Sequence, residues 1–386
     1  MSDLAVLREL GYSPRWQALF EPYASQGLTP ARVIRNDRGS ALVVTPTAVV
    51  SARFATRLIK AAAGSSGLPT VGDWVAVRIL GDPESEGDAA GEREGGDRGS
   101  GERVGGDRDA AVIEAVLERT SAITRGDPGN TSEIQVLAAN IDTVFVVHPI
   151  VEPPNLRRIE RELSVAWDSG AAPVVVLTNE DLSDDPEGAR VAVELVALGA
   201  DVLVTNALAG DGIAPILGYI SDHRTAVLVG PSGAGKSTII NALLGEQRQT
   251  TREVRVSDGR GRHTTVTREL ILMPGGGVLI DTPGIRALGL TGSEEGITAA
   301  FPDVDEASQS CRFRDCTHSV EPGCAVRAAV ESGTLTPERL ASYHKLMREA
   351  QVAAAKTDVR RRADEDRKGK IISKAAKAYF KLDDRG

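Results

Sequence analysis

The sequence predicts three domains in a row: an N-terminal β-barrel of the OB type, a central α/β doubly wound sheet, and a C-terminal, mostly α domain built around a cysteine cluster. Three observations carry that prediction. Five short β-rich runs occupy the first 117 residues, continuous apolar runs alternate with helical segments from about residue 130, and all three cysteines fall between positions 311 and 324. At 386 residues the chain is longer than one hydrophobic core supports. The expected domains are 1–125, 126–298 and 299–386.

The barrel is read from ARVIR (31–35), ALVVT (41–45), AVVSARF (48–54), DWVAVRIL (73–80) and AVIEAVL (111–117). Asn36-Asp37-Arg38-Gly39, between the first two, is a hairpin-turn signal. Five strands of this length fit a small closed barrel of the OB type, and an SH3-like barrel would show a similar pattern. Residues 81–110 interrupt it with ten acidic, four basic and nine Gly residues and no aromatic one. Such a segment cannot bury enough surface to offset its ordering entropy, so a disordered loop is expected.

That loop holds −6 of the formal net charge of −9, which leaves the rest of the chain close to neutral. The opposite bias lies in residues 356–381, with ten Lys or Arg against four Asp or Glu. The acidic total therefore does not exclude a nucleic-acid partner. No run of about 18 apolar residues and no signal-type apolar core is present, so a cytoplasmic protein with no membrane partner is expected. Three clustered cysteines do not make a disulfide scaffold and point to a metal site or reduced thiols.

In the central region TVFVVHP (143–149), PVVVLT (173–178), DVLVT (201–205), AVLVG (226–230) and GVLIDT (277–282) are continuous apolar runs, the mark of buried parallel strands. Leu156, Ile159, Leu163 and Trp167 recur at helical spacing between them, as do Val191, Val193, Leu195 and Leu198. AVLVG leads into Gly230, Pro231, Ser232, Gly233, Ala234, Gly235, Lys236, Ser237 and Thr238, the G-x-x-x-x-G-K-[ST] loop between a strand and a helix. Its backbone N–H groups and the helix N-terminus suit a phosphate chain, Lys236 reaches the β- and γ-phosphates, and Ser237 ligates Mg²⁺. Asp281-Thr-Pro-Gly284 follows 45 residues after Lys236 at a strand end, placed to hold Mg²⁺ through Asp281 and touch the γ-phosphate through the Gly284 N–H. The Gly-rich stretch 259–265 lies between them, and Thr264 or Thr265 is the expected second Mg²⁺ ligand of a switch.

Guanine recognition needs a carboxylate that accepts from the base N1–H and N2–H₂. Thr178-Asn179-Glu180-Asp181 after PVVVL offers one, and Asn206-Ala207 after DVLVT stands where a backbone group for guanine O6 is expected. Both precede the phosphate loop, so the motif order is a circular permutation of the usual GTPase order. A parallel sheet tolerates this, because ligands bind at the carboxyl ends of its strands whatever the chain order. The Asp281 switch then leads straight into the C-terminal domain, so γ-phosphate loss is expected to move that domain directly.

Taken together, VGDWVAV (71–77), ANIDTVFVV (139–147), GPSGAGKST (230–238), SDGRGRHTT (257–265), IDTPGIRALGL (280–290) and CRFRDCTH (311–318) resemble the circularly permuted, small-ribosomal-subunit-dependent GTPases of the RsgA (YjeQ) family. The resemblance implies an OB domain that contacts ribosomal RNA, a permuted GTPase domain and a zinc domain. It also implies action late in maturation of the 30S subunit, on 16S rRNA, with hydrolysis stimulated by the subunit and release of the protein afterwards. It favours RNA contact for the basic segment 356–381. The chain departs from the family in carrying Thr178 and Asn179 where Asn-Lys is usual, and in the acidic loop. Asp181 is kept, so GTP is expected, with altered affinity or specificity.

The position after Gly284 is Ile285, which cannot hydrogen-bond a water. His263 in the switch is the nearest group to orient the attacking water, as the resemblance also implies. An arginine finger, if used, is Arg260 or Arg262. Cys311-x₄-Cys316-x-His318-x₅-Cys324 is a Cys₃His set with the composition of a closed, structural tetrahedral zinc site. Arg312, Arg314 and Arg327 surround it and suit phosphate contact. A single copy of each domain suffices, so a monomer is expected. The competing readings are an ATP-using P-loop protein and an RNA-docking module whose nucleotide only tunes affinity.

Overall fold

The structure, a computed structural model, describes residues 4–37, 39–62, 65–80, 110–126, 134–150, 154–245, 268–281 and 293–355. Two short helices, α1 (Ala5–Glu9) and α2 (Pro14–Ala24), precede strands β1 (Thr29–Asn36), β2 (Ser40–Val44), β3 (Val49–Phe54), β4 (Trp74–Ile79) and β5 (Ala111–Val116). These strands are ordered β1-β2-β3-β5-β4, and β4 pairs back onto β1, which closes the barrel. The β3–β5 pair is parallel and the other pairs are antiparallel. This is the OB-type barrel expected from the sequence. Its interior is narrow because alternate positions carry small residues: Ala31, Ala41, Ala52 and Ala111 share it with Val33, Val43, Val75, Val77 and Ile113. Helix α3 (Thr56–Ala61) lies between β3 and β4. The acidic stretch expected to be disordered joins β4 to β5, and residues 81–109 lie outside the described residues.

A hairpin of β6 (Ala122–Gly126) and β7 (Ile134–Ala139) leads to the second sheet. Its strands β8 (Thr143–Pro149), β9 (Ala172–Thr178), β10 (Asp201–Thr205), β11 (Thr225–Val229) and β13 (Val278–Asp281) are those read from the apolar runs, in the order β10-β9-β8-β11-β13, all parallel. The sequence reading missed β12 (Glu269–Leu272), which runs antiparallel to β13. It also pairs with β1 at Arg35 and Glu269, so barrel and sheet form one continuous eleven-stranded sheet.

Helix α4 (Leu156–Asp168) covers one face, with Ile159 and Leu163 buried, and Asn155 caps it through its side chain. Helix α5 (Pro186–Glu194) ends before Leu195, which is 70% exposed, so only part of the expected periodic run is helix. Helices α6 (Ile213–Gly218) and α7 (Lys236–Leu244) pack Ile216, Ile239, Ile240 and Leu243 on the opposite face. The C-terminal part comprises α8 (Glu294–Ala300), α9 (Pro302–Ser308), α10 (Ala325–Glu331) and α11 (337–355). Phe301, Val326 and Leu346 belong to the same apolar core as Leu163 of α4 and Trp74 of the barrel. The C-terminal helices are therefore packed onto the sheet layer. Among the described residues no helix is long and apolar enough to cross a membrane.

Candidate nucleotide and metal sites

β11 ends at Val229, and the loop from Gly230 to Gly235 curls back into α7. Gly230 has φ +140°, and a Cβ there would stand 2.2 Å from the Val147 carbonyl oxygen of β8, so the loop passes too close to the neighbouring strand for any side chain. Gly235 occupies the N-cap position of α7 without a side-chain cap, which leaves the helix amides to an anion. Lys236 folds over the loop and donates through Nζ to the carbonyls of Gly230, at 2.9 Å, and Pro231, at 2.6 Å. Ser237 and Thr238 follow in the first turn of the same helix. Asp281 ends β13, the parallel neighbour of β11, and so stands at the same edge of the sheet as the loop.

The two segments expected to meet the base, 178–181 and 206–207, reach this edge from the other side. Thr178, 2% exposed at the end of β9, donates its hydroxyl to the Ala234 carbonyl at 2.9 Å and so ties β9 to the phosphate loop. Asn179 takes the left-handed conformation, φ 61°, and turns the chain into a short 3₁₀ turn, Glu180–Leu182, that carries Asp181. Asn206 follows β10 and pairs with Asp211, while Thr205 fixes that turn by donating to the Asp211 carbonyl at 2.5 Å. A cavity of about 70 Å³ is lined by Thr178, Asn179, Asp181, Asn206, Ala207, Gly235 and Thr238. Two segments that precede the phosphate loop in the chain thus meet it in space.

Leu182 and Leu208 complete that lining and were not singled out in the sequence. They are 61% and 84% exposed, the setting of side chains that would flank a planar ring. No local pattern marks them, because their exposure is a tertiary property. His263, Thr264, Thr265, Gly284 and Ile285 lie outside the described residues, as do Arg260, Arg262 and the basic segment 356–381.

The cysteine set comes together. Cys311 Sγ lies 3.6 Å from His318 Nδ1 and 4.0 Å from Cys324 Sγ, and Cys324 Sγ lies 3.6 Å from His318 Nδ1. Cys316 joins them, with all four donor atoms within 4.8 Å of one another. Donors bonded to a common tetrahedral zinc stand about 3.5–3.8 Å apart, so the residues fit that ion. Burial, with help from the neighbouring His344, pushes the His318 imidazole below its ordinary value and favours the neutral form a metal needs. Glu321 accepts the backbone N–H groups of Thr317, Ser319 and Val320 at 2.9, 2.9 and 3.1 Å and shapes the loop around His318. Arg312, Arg314 and Arg327 are exposed around the cluster.

Comparison with known proteins places these sites in a family context. The family model described as RsgA GTPase matches residues 116–291. The small ribosomal subunit biogenesis GTPase RsgA of Opitutus terrae is 45% identical over 367 residues, covering 95% of this chain and 95% of its own. The protein of the same name from Streptomyces coelicolor is 42% identical over 388 residues, covering 97% and 96%. Among solved structures, YjeQ from Thermotoga maritima aligns with a TM-score of 0.59 at 23% identity, over 84% of this chain and 99% of that one, and is a likeness of fold. YloQ, described as a circularly permuted GTPase, aligns with a TM-score of 0.56 at 25% identity, over 84% and 95%.

Proposed function

The chain belongs to the RsgA family of GTPases, and from that premise we propose that it binds GTP with Mg²⁺ at the phosphate loop, hydrolyses it, and acts in biogenesis of the small ribosomal subunit. The observation that carries the nucleotide reading is the convergence of Asp181 and Asn206 on Gly235 and Thr238 around one cavity. In this reading the Asp181 carboxylate accepts from guanine N1–H and N2–H₂, and the backbone at Asn206-Ala207 meets O6. Lys236 holds the β- and γ-phosphates, and Ser237, Asp281 and Thr264 or Thr265 complete the magnesium shell. Thr178 serves as the tie between base element and phosphate loop, which its bond to Ala234 supports. The substitution of Thr178 and Asn179 for the usual pair therefore leaves the guanine-reading carboxylate in place. Asp181→Asn should abolish the preference for GTP over ATP, because the amide donates where the base also donates; competition of ATP against bound GDP measures it.

We further propose that the barrel (1–125) and the zinc domain (299–386) grip the subunit on either side of the GTPase domain (126–298), with the exposed arginines around the Cys₃His cluster on RNA phosphates. The protein acts as a monomer in the cytoplasm, late in 30S maturation, and leaves on hydrolysis. The Asp281 segment leads in sequence into the C-terminal helices, which share a core with α4, so γ-phosphate loss reaches the C-terminal domain directly in this reading. The experiment is cosedimentation with purified small subunits. Retention with a non-hydrolysable GTP analogue, loss with GDP, and weakening as salt rises support the reading; equal retention in both nucleotide states contradicts it.

Two predictions belong to this reading. With His263 orienting the water, His263→Ala should bind nucleotide normally yet lose subunit-stimulated turnover by about a hundredfold or more. Single-turnover hydrolysis with subunits measures this, and normal stimulation removes His263 from the mechanism. The purified chain should carry one equivalent of zinc by elemental analysis, and Cys316→Ser or strong chelation should unfold the region around α10. A metal-free chain with an unchanged melt would refute the zinc assignment.

A further inference from the structure

β8 lies between β9, which ends in Thr178, and β11, which leads into the phosphate loop. Its own end touches both neighbours. The Val147 carbonyl oxygen is the atom that a Cβ on Gly230 would strike, and the Ile150 N–H donates to the Thr178 carbonyl at 2.9 Å. The Thr178 hydroxyl, bonded to Ala234, lies 3.4 Å from the His148 carbonyl oxygen. Gly235 closes the set, since a Cβ there would stand 3.3 Å from the Thr178 hydroxyl oxygen. In packing this close, a displacement of residues 147–150 moves the phosphate loop and the segment 178–181 together.

Along β8 alternate side chains face opposite layers. Phe145 and Val147 pack with Ile216 of α6 and Ile239 of α7, whereas Val144 and Val146 share a core with Ile159 and Leu163 of α4. His148 is the next position on the α4 face, and there the apolar run breaks. The imidazole is 4% exposed and donates from Nε2 to Glu162 of α4, 5% exposed, at 2.8 Å. Arg158 donates to the other Glu162 oxygen at 3.0 Å, so both carboxylate oxygens are held. Two apolar side chains of similar volume often stabilise a core as well as such a pair, so the pair is weak evidence for stability. Its directional bond fixes where the end of β8 stands against α4.

The C-terminal helices grip α4 from another side. Glu160 accepts from Arg339 and Ser342, and Arg161 donates to Glu349 at 3.0 Å. Positions 160 and 162 of a helix lie about 200° apart around its axis. One buried carboxylate of α4 is thus held by the C-terminal helices and the other by β8.

We propose that His148 is a positioning residue of the nucleotide site. Its bond to Glu162 sets the place of the end of β8, and with it of the phosphate loop and the segment 178–181, so the hold of the C-terminal helices on α4 governs how fast guanine nucleotide leaves. This role rests on the proposed binding of guanine nucleotide at the phosphate loop. It gives the C-terminal domain a path to the nucleotide that does not pass through Asp281.

The test uses the full chain with Mg²⁺ and a fluorescent GDP analogue, chased with excess GDP. His148→Leu/Glu162→Leu should release the analogue about tenfold faster than the parent chain, with a thermal melt at or above that of the parent. His148→Gln, whose amide donates to Glu162 as the Nε2–H does, should keep the parent rate. Arg161→Ala, which frees α4 from Glu349, should speed release about threefold in the parent chain and leave it unchanged in the doubly substituted chain, where the link is already cut. His148→Leu alone, which leaves Glu162 paired with Arg158, repeats the comparison if the double variant does not fold. Parent-like release from the leucine variants, or an equal effect of Arg161→Ala in both backgrounds, overturns the proposal. A parent chain that does not retain the analogue removes the nucleotide site and this role with it, whereas a parent that retains it beside variants that behave alike removes this role alone.

Discussion

Lys236→Ala should lower GTP turnover by about a hundredfold or more while leaving the fold intact. The expectation follows from the seat of the side chain. Its ammonium lies over the loop on the carbonyls of Gly230 and Pro231, at the N-terminus of α7, where a phosphate chain would meet both the helix amides and this charge. Removing it takes away the mobile cation of the loop and leaves the backbone cradle, whose shape is set by the approach of Gly230 to Val147. Binding of a fluorescent GDP analogue should weaken less than turnover, since the lysine is expected to act on the γ-phosphate as well. The check is steady-state turnover beside a thermal melt. Turnover near that of the parent chain, in a variant that melts normally, would remove Lys236 from the site.

The second large effect is on stability. Arg339→Ala should destabilise the chain by about 3–5 kcal/mol, because it leaves a buried carboxylate without its partner. Arg339 in α11 has a side chain only 4% exposed and donates to Glu160 of α4, 3% exposed, at 2.8 Å. It also makes a two-point pair with Asp303 at 3.0 Å, bonds the carbonyls of Ala300 and Val196 at 2.9 and 3.1 Å, and lies 4.1 Å from the Phe301 ring. Ser342 bonds the other oxygen of Glu160, so that carboxylate is enclosed from both sides. This cluster joins the C-terminal helices to α4 on the sheet layer. Glu160→Gln placed on top of Arg339→Ala should recover part of the loss, since the orphaned charge is then gone. Denaturant unfolding of the two variants measures both numbers, and a loss below about 1 kcal/mol would mean that the cluster is incidental.

Much of the architecture was legible because the strands announce themselves. β8, β9 and β11 are unbroken apolar runs, and they are buried on both faces in the structure. The barrel strands are short and separated by turn residues, which sufficed for their number and for the closed OB-type barrel expected from it, although the β4–β1 pairing that closes it is a tertiary contact. Strand β12 escaped because Glu269 and Leu272 are exposed and the run is only four residues long. Its pairing with β1 joins positions 234 residues apart, a contact no local pattern encodes. The N-terminal helices were within reach, since Trp16 and Phe20 are one turn apart, but Gly11 and Pro22 obscure the period.

The site shows the same division. The phosphate loop, Asp181 and the Cys₃His set are side-chain types in fixed spacings, and chemistry makes such spacings readable. Leu182 and Leu208 line the cavity through their exposure beside it, which only the folded chain decides. The buried bond from Arg32 of the barrel to the Thr225 hydroxyl of β11 is less readable still, because the two residues are 193 positions apart.

In the proposed reading, GTP hydrolysis by this chain is coupled to the small ribosomal subunit. Steady-state release of phosphate from GTP and from ATP, each with and without purified small subunits, tests it most directly. The account predicts slow turnover of GTP alone, a steep rise with subunits, and no release from ATP. Comparable release from ATP, or GTP turnover indifferent to the subunit, would contradict it.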